Sequence, residues 1–173
     1  MKMQSMNVLI GTTTVGRLMI HQDEWNFEYH PQWIQNGFPL APCLPFGTPC
    51  RPQTIKNFFD NMLPENEQTL GHLVHTFQIS KQNTFGLLHA IRHDLSGALY
   101  LSDEDNISQK SQFRAITKQE ITHKLDNPLI DPIDIWDGKP RLSLAGVQQK
   151  INVLQLDGQW GFGEGQLCST HLF

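Results

Sequence analysis

Small residues concentrate between two strand-like segments near the carboxyl end of the sequence. Positions 141–150 read Arg-Leu-Ser-Leu-Ala-Gly-Val-Gln-Gln-Lys. Ala and Gly leave backbone N–H groups accessible, so several of these donors can converge on one anion. A turn of this kind is suited to holding the phosphates of a nucleotide. The candidate nucleotide-binding loop comprises Ser143, Leu144, Ala145, Gly146, Val147, Gln148, Gln149 and Lys150.

A phosphate-binding loop does not transfer phosphate by itself. Phosphoryl transfer also needs an ion-pairing lysine, a carboxylate base and groups that hold Mg²⁺. No such set can be assigned between the loop and Phe173. We therefore expect residues 1–173 to be non-catalytic and to bind nucleotide weakly. Lys150 could contact a phosphate, but a solvated lysine at the start of a strand is the favoured interpretation.

Cysteines and histidines give weaker chemical signals. Two cysteines in a proline-rich segment could join a histidine around zinc, but they lack the tight ligand spacing of structural zinc sites. Histidine pairs at helical spacing could face one metal, yet eight histidines in one chain make such pairs common. We therefore expect idle or buried thiols and no metal site. The residues concerned are Cys43, Cys50, His21, His30, His72, His75, His89 and His93.

Composition predicts a soluble globular protein. The 173 residues include 39% hydrophobic and 17% charged side chains, with a mean hydropathy of -0.36. A net charge of -4 and a pI near 6.0 do not favour nucleic acid as a direct ligand. Three scattered cysteines favour reduced thiols, and no apolar run approaches the roughly 20 residues of a membrane span. We therefore expect a cytoplasmic protein without a membrane partner.

Hydrophobic periodicity predicts strands and then helices in the first part of the chain. Alternating and β-rich runs predict an antiparallel meander, and apolar residues at helical spacing predict three helices. Six prolines between His30 and Pro52 predict a wrapped loop without regular structure. The predicted strands span 7–10, 15–20, 25–29 and 98–101, and the predicted helices span 53–63, 65–79 and 84–93.

A polar and acidic segment, 102–112, is interpreted as a linker between domains over 1–101 and 113–173. After a short strand at 113–116, Thr117 and Glu120 have the spacing of a capping box, which opens a helix to about Leu125. Three further strands are predicted over 142–144, 151–156 and 159–162. The whole chain is thus predicted to be α+β, with a β-rich first part and packed helices.

Glycines shape the end of this second part. Asp157-Gly158 predicts a two-residue hairpin between its last two strands. The alternating Gly161, Gly163 and Gly165 do not match the spacing of a dinucleotide-binding loop, and we interpret them as a mobile hairpin turn. Three tryptophans are expected to cover core edges, and an exposed one would be the first candidate for docking a partner. They are Trp25, Trp33 and Trp136.

Several of these stretches together resemble the HipA-like serine/threonine kinases of bacterial toxin-antitoxin systems. They are Phe58 to Glu65, Phe85 to Leu101, Ser143 to Lys150, and Thr170 to Phe173. The resemblance implies a HipA-like amino-terminal subdomain, followed by the antiparallel start of a kinase-like small lobe with its Gly-rich loop. The family's Gly-Arg-Asp pattern appears here as Arg92-His93-Asp94.

The resemblance also implies a phosphorylation site and a need for further parts. Ser143 would occupy the family's autophosphorylation position, where a phosphate would repel the nucleotide, and the alternative is an ordinary strand serine. In the family, the ATP-binding lysine follows the strand represented here by Leu172-Phe173, and the catalytic carboxylates belong to a larger second lobe. ATP and Mg²⁺ would therefore bind only together with a partner kinase lobe.

The function implied by the resemblance is that of a non-catalytic component of a HipA-type toxin-antitoxin module. Like a HipS-like small subunit, it would bind a separate HipA-like kinase chain and restrain or complete it, with a HipB-like DNA-binding antitoxin as a further partner. One alternative is the truncated amino-terminal part of a HipA-like kinase toxin. Another is an interaction module unrelated to phosphorylation.

Overall fold

The computed structural model contains two four-stranded antiparallel sheets, a two-stranded hairpin and five helices among the residues that it describes. This mixture of helices and antiparallel sheets confirms the α+β class. The described residues are 3–92, 95, 99–103, 111–128, 130–131, 133, 135–141, 150–164, 167 and 169–173.

The first sheet confirms the predicted meander. Its strands are β1 (Gln4–Ile10), β2 (Thr13–His21), β3 (Glu24–Tyr29) and β4 (Leu99–Ser102). They lie in the order β3-β2-β1-β4, so the last strand returns from far along the chain to pair with β1. Gln22 and Asp23 both have positive φ, 51° and 64°, which gives the β2–β3 turn the twist that suits a tight hairpin.

Three helices follow where periodicity predicts them. They are α2 (Pro52–Asp60), α3 (Glu67–Phe77) and α4 (Thr84–Ala90). The side chain of Asn66 accepts from two backbone N–H groups of α3, and that of Asn83 accepts from one of α4, so both helices begin at true caps. Their apolar faces share one core with the first sheet, in which Leu18, Phe59 and Leu88 are fully buried.

The segment between β3 and α2 is less irregular than its prolines suggest. A short helix, α1 (Pro31–Asn36), begins it, so the interpretation of the whole segment as a loop is wrong. Pro31 is at the first helical turn, where its missing N–H costs no hydrogen bond. The following residues 38–50, which we call the strap, are held by Tyr29. Its hydroxyl donates to the carbonyl of Leu44 at 2.6 Å and accepts from the N–H of Leu40 at 2.8 Å.

A second sheet and the fifth helix form the rest of the described chain. The elements are β5 (Gln112–Ala115), α5 (Lys118–Asp126), the hairpin of β6 (Ile135–Trp136) and β7 (Lys139–Pro140), β8 (Asn152–Leu156), β9 (Gln159–Glu164) and β10 (His171–Leu172). The sheet order is β10-β8-β9-β5. Positive φ at Asp157 and Gly158, 48° and 77°, confirms the predicted hairpin between β8 and β9. Thr117 and Glu120 confirm the predicted capping box.

Two glycines of β9 correct the prediction of a mobile turn. Gly161 and Gly163 lie within the strand, where neighbouring backbone comes very close. A Cβ on Gly161 would lie 2.3 Å from the carbonyl oxygen of Arg114, and one on Gly163 would lie 2.2 Å from that of Leu167. Because real Cβ atoms do not approach so closely, these positions need glycine for packing. Gly165 lies outside the described residues.

The three tryptophans of the prediction are all core residues. Trp25, Trp33 and Trp136 are 5%, 9% and 2% exposed, which confirms core cover as their role. Trp136 belongs to the second core, with Val153 and Phe162 among its members. None of the helices in the described part of the chain has the length and apolar character that crossing a membrane requires.

Candidate functional site

Arg141 anchors the beginning of the predicted nucleotide-binding loop. Its side chain is buried, and its guanidinium carbon lies 4.8 Å from the ring centroid of Phe162. Arg141 Nη2 donates to Glu164 Oε1 at 3.3 Å, and Lys139 Nζ donates to the same oxygen at 2.8 Å. The hydrogen bond from Lys139 is the main cause that lowers the pKa of Glu164. Glu164 therefore stays ionised and binds both cations at neutral pH.

Asn152 anchors the other end of the same loop. Its side-chain amide is buried and donates to the carbonyl oxygen of Arg141 at 3.0 Å. Of the predicted loop residues, the structure describes Lys150, which is half-buried next to Ile151. Residues 142–149, including Ser143, lie outside the described residues. The structure thus describes the last residue of the predicted loop, Lys150, and a hydrogen bond between two residues that flank the loop, Asn152 and Arg141.

An apolar sheet edge lies next to the end of the loop. Phe173 N donates to Ile151 O at 2.9 Å, and Ile151 N donates to Phe173 O at 2.7 Å, so the two segments pair directly. The ring of Trp160 lies 4.9 Å from that of His171 and 5.0 Å from that of Phe173. Leu172 and Phe173 remain 50% and 61% exposed. We call these four residues, Trp160 and 171–173, the β10 edge.

A groove of about 590 Å³ is lined by α5 and the β6–β7 hairpin, with His72 of α3 at its side. Lys124, which lines it, is 6% exposed, and its ammonium donates to the carboxylate of Asp131 and to the carbonyl of Ile135. That ammonium also lies 5.0 Å from the ring centroid of Trp136. These partners satisfy the buried ammonium from within the protein, as a buried polar group requires.

Arg114 and Glu120 form an ion pair at the same groove. Arg114 Nη2 lies 2.6 Å from Glu120 Oε1 and 2.9 Å from Asp137 Oδ1. Glu120 Oε2 also accepts from the N–H of Thr117 at 2.7 Å. The hydrogen bonds from Arg114 and then from Thr117 lower the pKa of Glu120 to about 2. Carboxylates paired in this way are weak bases, so they are suited to holding structure in place and not to accepting protons.

Two aromatic rings connect the groove with the base of the loop. The rings of Trp136 and Phe162 lie 4.9 Å apart, and the Trp136 indole N–H donates to the carbonyl of Ile133 at 2.7 Å. The ammonium of Lys124 lies over the ring of Trp136, and the guanidinium of Arg141 lies over the ring of Phe162. Arg141, which precedes the predicted loop, and Lys124, which lines the groove, therefore pack against the same pair of aromatic rings.

The other residues singled out from the sequence have ordinary partners or lie elsewhere. His89 Nε2 is 2.8 Å from Asp103 Oδ2, and His72 lines the groove. Cys43 and Cys50 are unbridged thiols, and Cys43 is exposed, so it is not one of the buried thiols that the sequence suggests. Within the described ranges, no group of three or more His, Cys, Asp and Glu side chains could hold a metal. Asp94, like Ser143, lies outside the described residues.

Sequence reasoning missed the loop anchors. Arg141 and Asn152 flank the small-residue segment, but we assigned neither of them a role from the sequence. A signal for Asn152 does exist, because it interrupts the apolar run of Ile151, Val153 and Leu154. A polar residue in a buried run needs an internal partner. For Arg141 no local signal exists, since Glu164 is 23 residues away.

Comparisons with known proteins find relatives along the whole chain. The family model described as "HipA N-terminal domain" matches residues 6–102. The serine/threonine-protein kinase toxin HipA of Shewanella oneidensis is 36% identical over 173 residues, which is 99% of this chain and 40% of that protein. A Sinorhizobium fredii protein that carries the description of a kinase is 28% identical over 84% of this chain and 37% of its own length. The chain thus spans about 40% of the length of these relatives.

A solved structure has the same fold. It is the complex of Shewanella oneidensis MR-1 HipA and HipB with their operator DNA. The match has a TM-score of 0.78 and 36% identity, and it covers 96% of this chain and 39% of that one. The likeness therefore includes the second sheet as well as the part matched by the family model.

Proposed function

Because the chain belongs to the HipA N-terminal domain family, we propose that residues 1–173 are a non-catalytic component of a HipA-type toxin-antitoxin module. In this role they bind a separate HipA-like kinase chain and restrain or complete it. The observation that carries the proposal is the extent of the likeness, since 99% of this chain matches only 40% of a kinase toxin. The expected binding partner is a kinase lobe equivalent to the part of that relative that this chain does not match.

The β10 edge is the surface we assign to this contact. It combines exposed apolar side chains, Leu172 and Phe173, with the main chain of an edge strand. A further strand can add to such an edge through main-chain hydrogen bonds, and apolar side chains strengthen that pairing. The edge lies directly beside the end of the predicted Gly-rich loop, where a kinase lobe would complete a nucleotide cleft.

Nucleotide binding in this proposal depends on the completed cleft. Lys139 and Arg141 lie just before the loop and are both paired with Glu164, so little of their charge is available to a polyanionic ligand such as ATP with Mg²⁺. When bound, ATP supplies the transferable phosphoryl group. The contribution of this chain is to hold the loop ends in place through Arg141 and Asn152. We expect isothermal titration of residues 1–173 alone to find no tight, Mg²⁺-dependent ATP binding, and tight binding would contradict this part of the proposal.

The experiment that tests the proposal measures association with a HipA-like kinase chain, taken from the neighbouring gene where one is present. We expect co-elution in size-exclusion chromatography and a change in the kinase's autophosphorylation rate. The double variant Leu172→Asp/Phe173→Asp should weaken association at least tenfold. A matched control, Leu125→Asp/Ile130→Asp, changes two other exposed apolar residues, 58% and 87% exposed, and should bind normally. Absence of both association and any effect on kinase activity would refute the proposal.

A second candidate function is supported by the same partial coverage. The chain would then be the amino-terminal portion of a HipA-like serine/threonine kinase toxin, with the β10 edge continued by the same polypeptide. Sequencing the DNA beyond the codon for Phe173 discriminates between the two. A downstream coding sequence for the second kinase lobe favours this second function. A complete kinase gene nearby favours the separate component.

A HipB-like antitoxin is a further partner in the proposal. Its support is the solved relative, which contains HipA together with HipB and operator DNA. Surface plasmon resonance should detect binding of the cognate antitoxin to the complex of this chain with its kinase. Equal binding to the kinase with and without this chain would exclude a contact by residues 1–173.

A further inference from the structure

The strap places the thiol of Cys50 against the main chain of Cys43, beside Tyr29. Cys50 Sγ lies 3.5 Å from the carbonyl oxygen of Cys43 and 3.6 Å from that of Thr48. Gly47, with φ of 69°, supports the reversal of the chain between the two cysteines. Cys43 is exposed and Cys50 is half-buried. Two cysteines that are seven positions apart are thus held next to each other by the folded backbone.

Core contacts hold the strap in this shape. Leu44 is fully buried, and the ring of Phe46 lies 4.7 Å from that of Tyr29. Burial raises the pKa of Tyr29, so its hydroxyl keeps the proton that it donates to the carbonyl of Leu44. Cys43 and Cys50 both lie close enough to this hydroxyl to add to the same shift. The thiol pair is therefore part of a fixed arrangement around the tyrosine.

We propose that Cys43 and Cys50 are an oxidation-sensitive thiol pair that forms a disulfide across the strap. This inference is independent of the proposed function. The sulfur of Cys50 already contacts the main chain of Cys43, whose exposed side chain can rotate about its Cα–Cβ bond. A disulfide needs its Cβ atoms about 3.5–4.5 Å apart, a distance that the backbone sets, so bond formation depends on the strap backbone holding Cys43 and Cys50 at that separation.

The reaction with hydrogen peroxide takes place in two steps. The exposed thiol of Cys43 first releases its proton to solvent, and its thiolate attacks one peroxide oxygen. The O–O bond breaks, Cys43 sulfenic acid and a hydroxide form, and the hydroxide takes up the released proton to give one water. The thiolate of Cys50 then attacks the sulfenic sulfur. The S–S bond forms, the S–O bond breaks, and the leaving hydroxide takes up a proton to give a second water. Two thiols are oxidised and one peroxide is reduced.

The test uses residues 1–173 with Cys168→Ser, so that only the pair carries thiols. After mild peroxide treatment and alkylation, mass spectrometry should find the loss of two hydrogens and a linked Cys43–Cys50 peptide, both reversed by dithiothreitol. Closing this short loop should raise the melting temperature by about 5 °C. In the single variants Cys43→Ser and Cys50→Ser, peroxide should cause no such rise.

The same experiment can overturn the proposal. If both thiols stay alkylatable after peroxide, or if both convert separately to sulfinic acid, the two sulfurs do not meet. Should Cys168→Ser fail to fold, peptide mapping of the unmodified chain decides the question. A Cys43–Cys50 link would support the pair, and a link from Cys168 to either of them would refute it.

Discussion

Replacing Glu120 by Gln removes one charge at the start of α5 and keeps an acceptor for the capping box. The pKa of Glu120 is lowered from 4.5 to about 2, mainly by the hydrogen bond from Arg114. That full difference corresponds to about 3.4 kcal/mol. However, the side chain is 37% exposed, so solvent screening reduces the effect. Removing the whole side chain in Glu120→Ala would lose both the helix cap and the ion pair. A cap contributes about 1 kcal/mol and a surface ion pair about 0.5 kcal/mol to the free energy of unfolding, which is a more realistic total.

For Glu120→Gln we expect a loss of about 0.5–1 kcal/mol in the free energy of unfolding at pH 7, measured by urea denaturation. Because the folded-state pKa lies below the unfolded one, the ionised carboxylate stabilises the fold above about pH 4.5. This contribution is lost as the pH falls towards 2. The difference between wild type and Glu120→Gln should therefore shrink to less than half by about pH 3. A difference that stays constant from pH 7 to pH 3 would refute the ionic explanation.

Other substitutions test the packing and the loop anchor. Leu44→Ala should lower the free energy of unfolding by about 3 kcal/mol because Leu44 is fully buried, whereas Ile130→Ser, at a position that is 87% exposed, should change it by less than about 0.5 kcal/mol in urea. Gly158→Ala should cost about 1 kcal/mol because φ is +77°, but Gly71→Ala in α3, with open space around it, should stabilise by about 0.5–1 kcal/mol. Thermal melts that shift in the same direction for both glycines would contradict this pair of expectations. Asn152→Ala should cost about 1–2 kcal/mol by leaving a buried carbonyl at the loop's start without its donor, and an unchanged melting temperature would argue against the anchor.

Local sequence patterns predict much of this fold because several elements carry their own signals. Thr117 and Glu120 have the spacing of a capping box, and the structure contains both of its hydrogen bonds. Asp157 and Gly158 tolerate positive φ, so a hairpin there follows from chemistry within two residues. The apolar spacing of α2 and α4 reflects burial against one core.

The missed features depend on contacts between distant residues or on a proline's position in its turn. The need for glycine at 161 arises from the approach of Arg114, which belongs to another strand. The role of Arg141 depends on Glu164, and neither residue predicts the other locally. The six prolines that include Pro31 predict a loop without regular structure, although proline is favourable in a first helical turn. The predicted roles of Ser143 in the nucleotide-binding loop and as a phosphorylation site remain predictions, because that residue lies outside the described part.

The two glycines of β9 limit how this sheet can evolve. At positions 161 and 163 a methyl group would enter the backbone of an adjoining segment, so natural variation cannot adjust the sheet by changing these residues. Substitutions that alter the surface of this sheet without disturbing its backbone are therefore expected at exposed positions such as Gln159 and Gln155. In a saturation library, β9 would consequently be intolerant from Gly161 to Gly163, because Phe162 between them is buried, and permissive at the exposed Gln159.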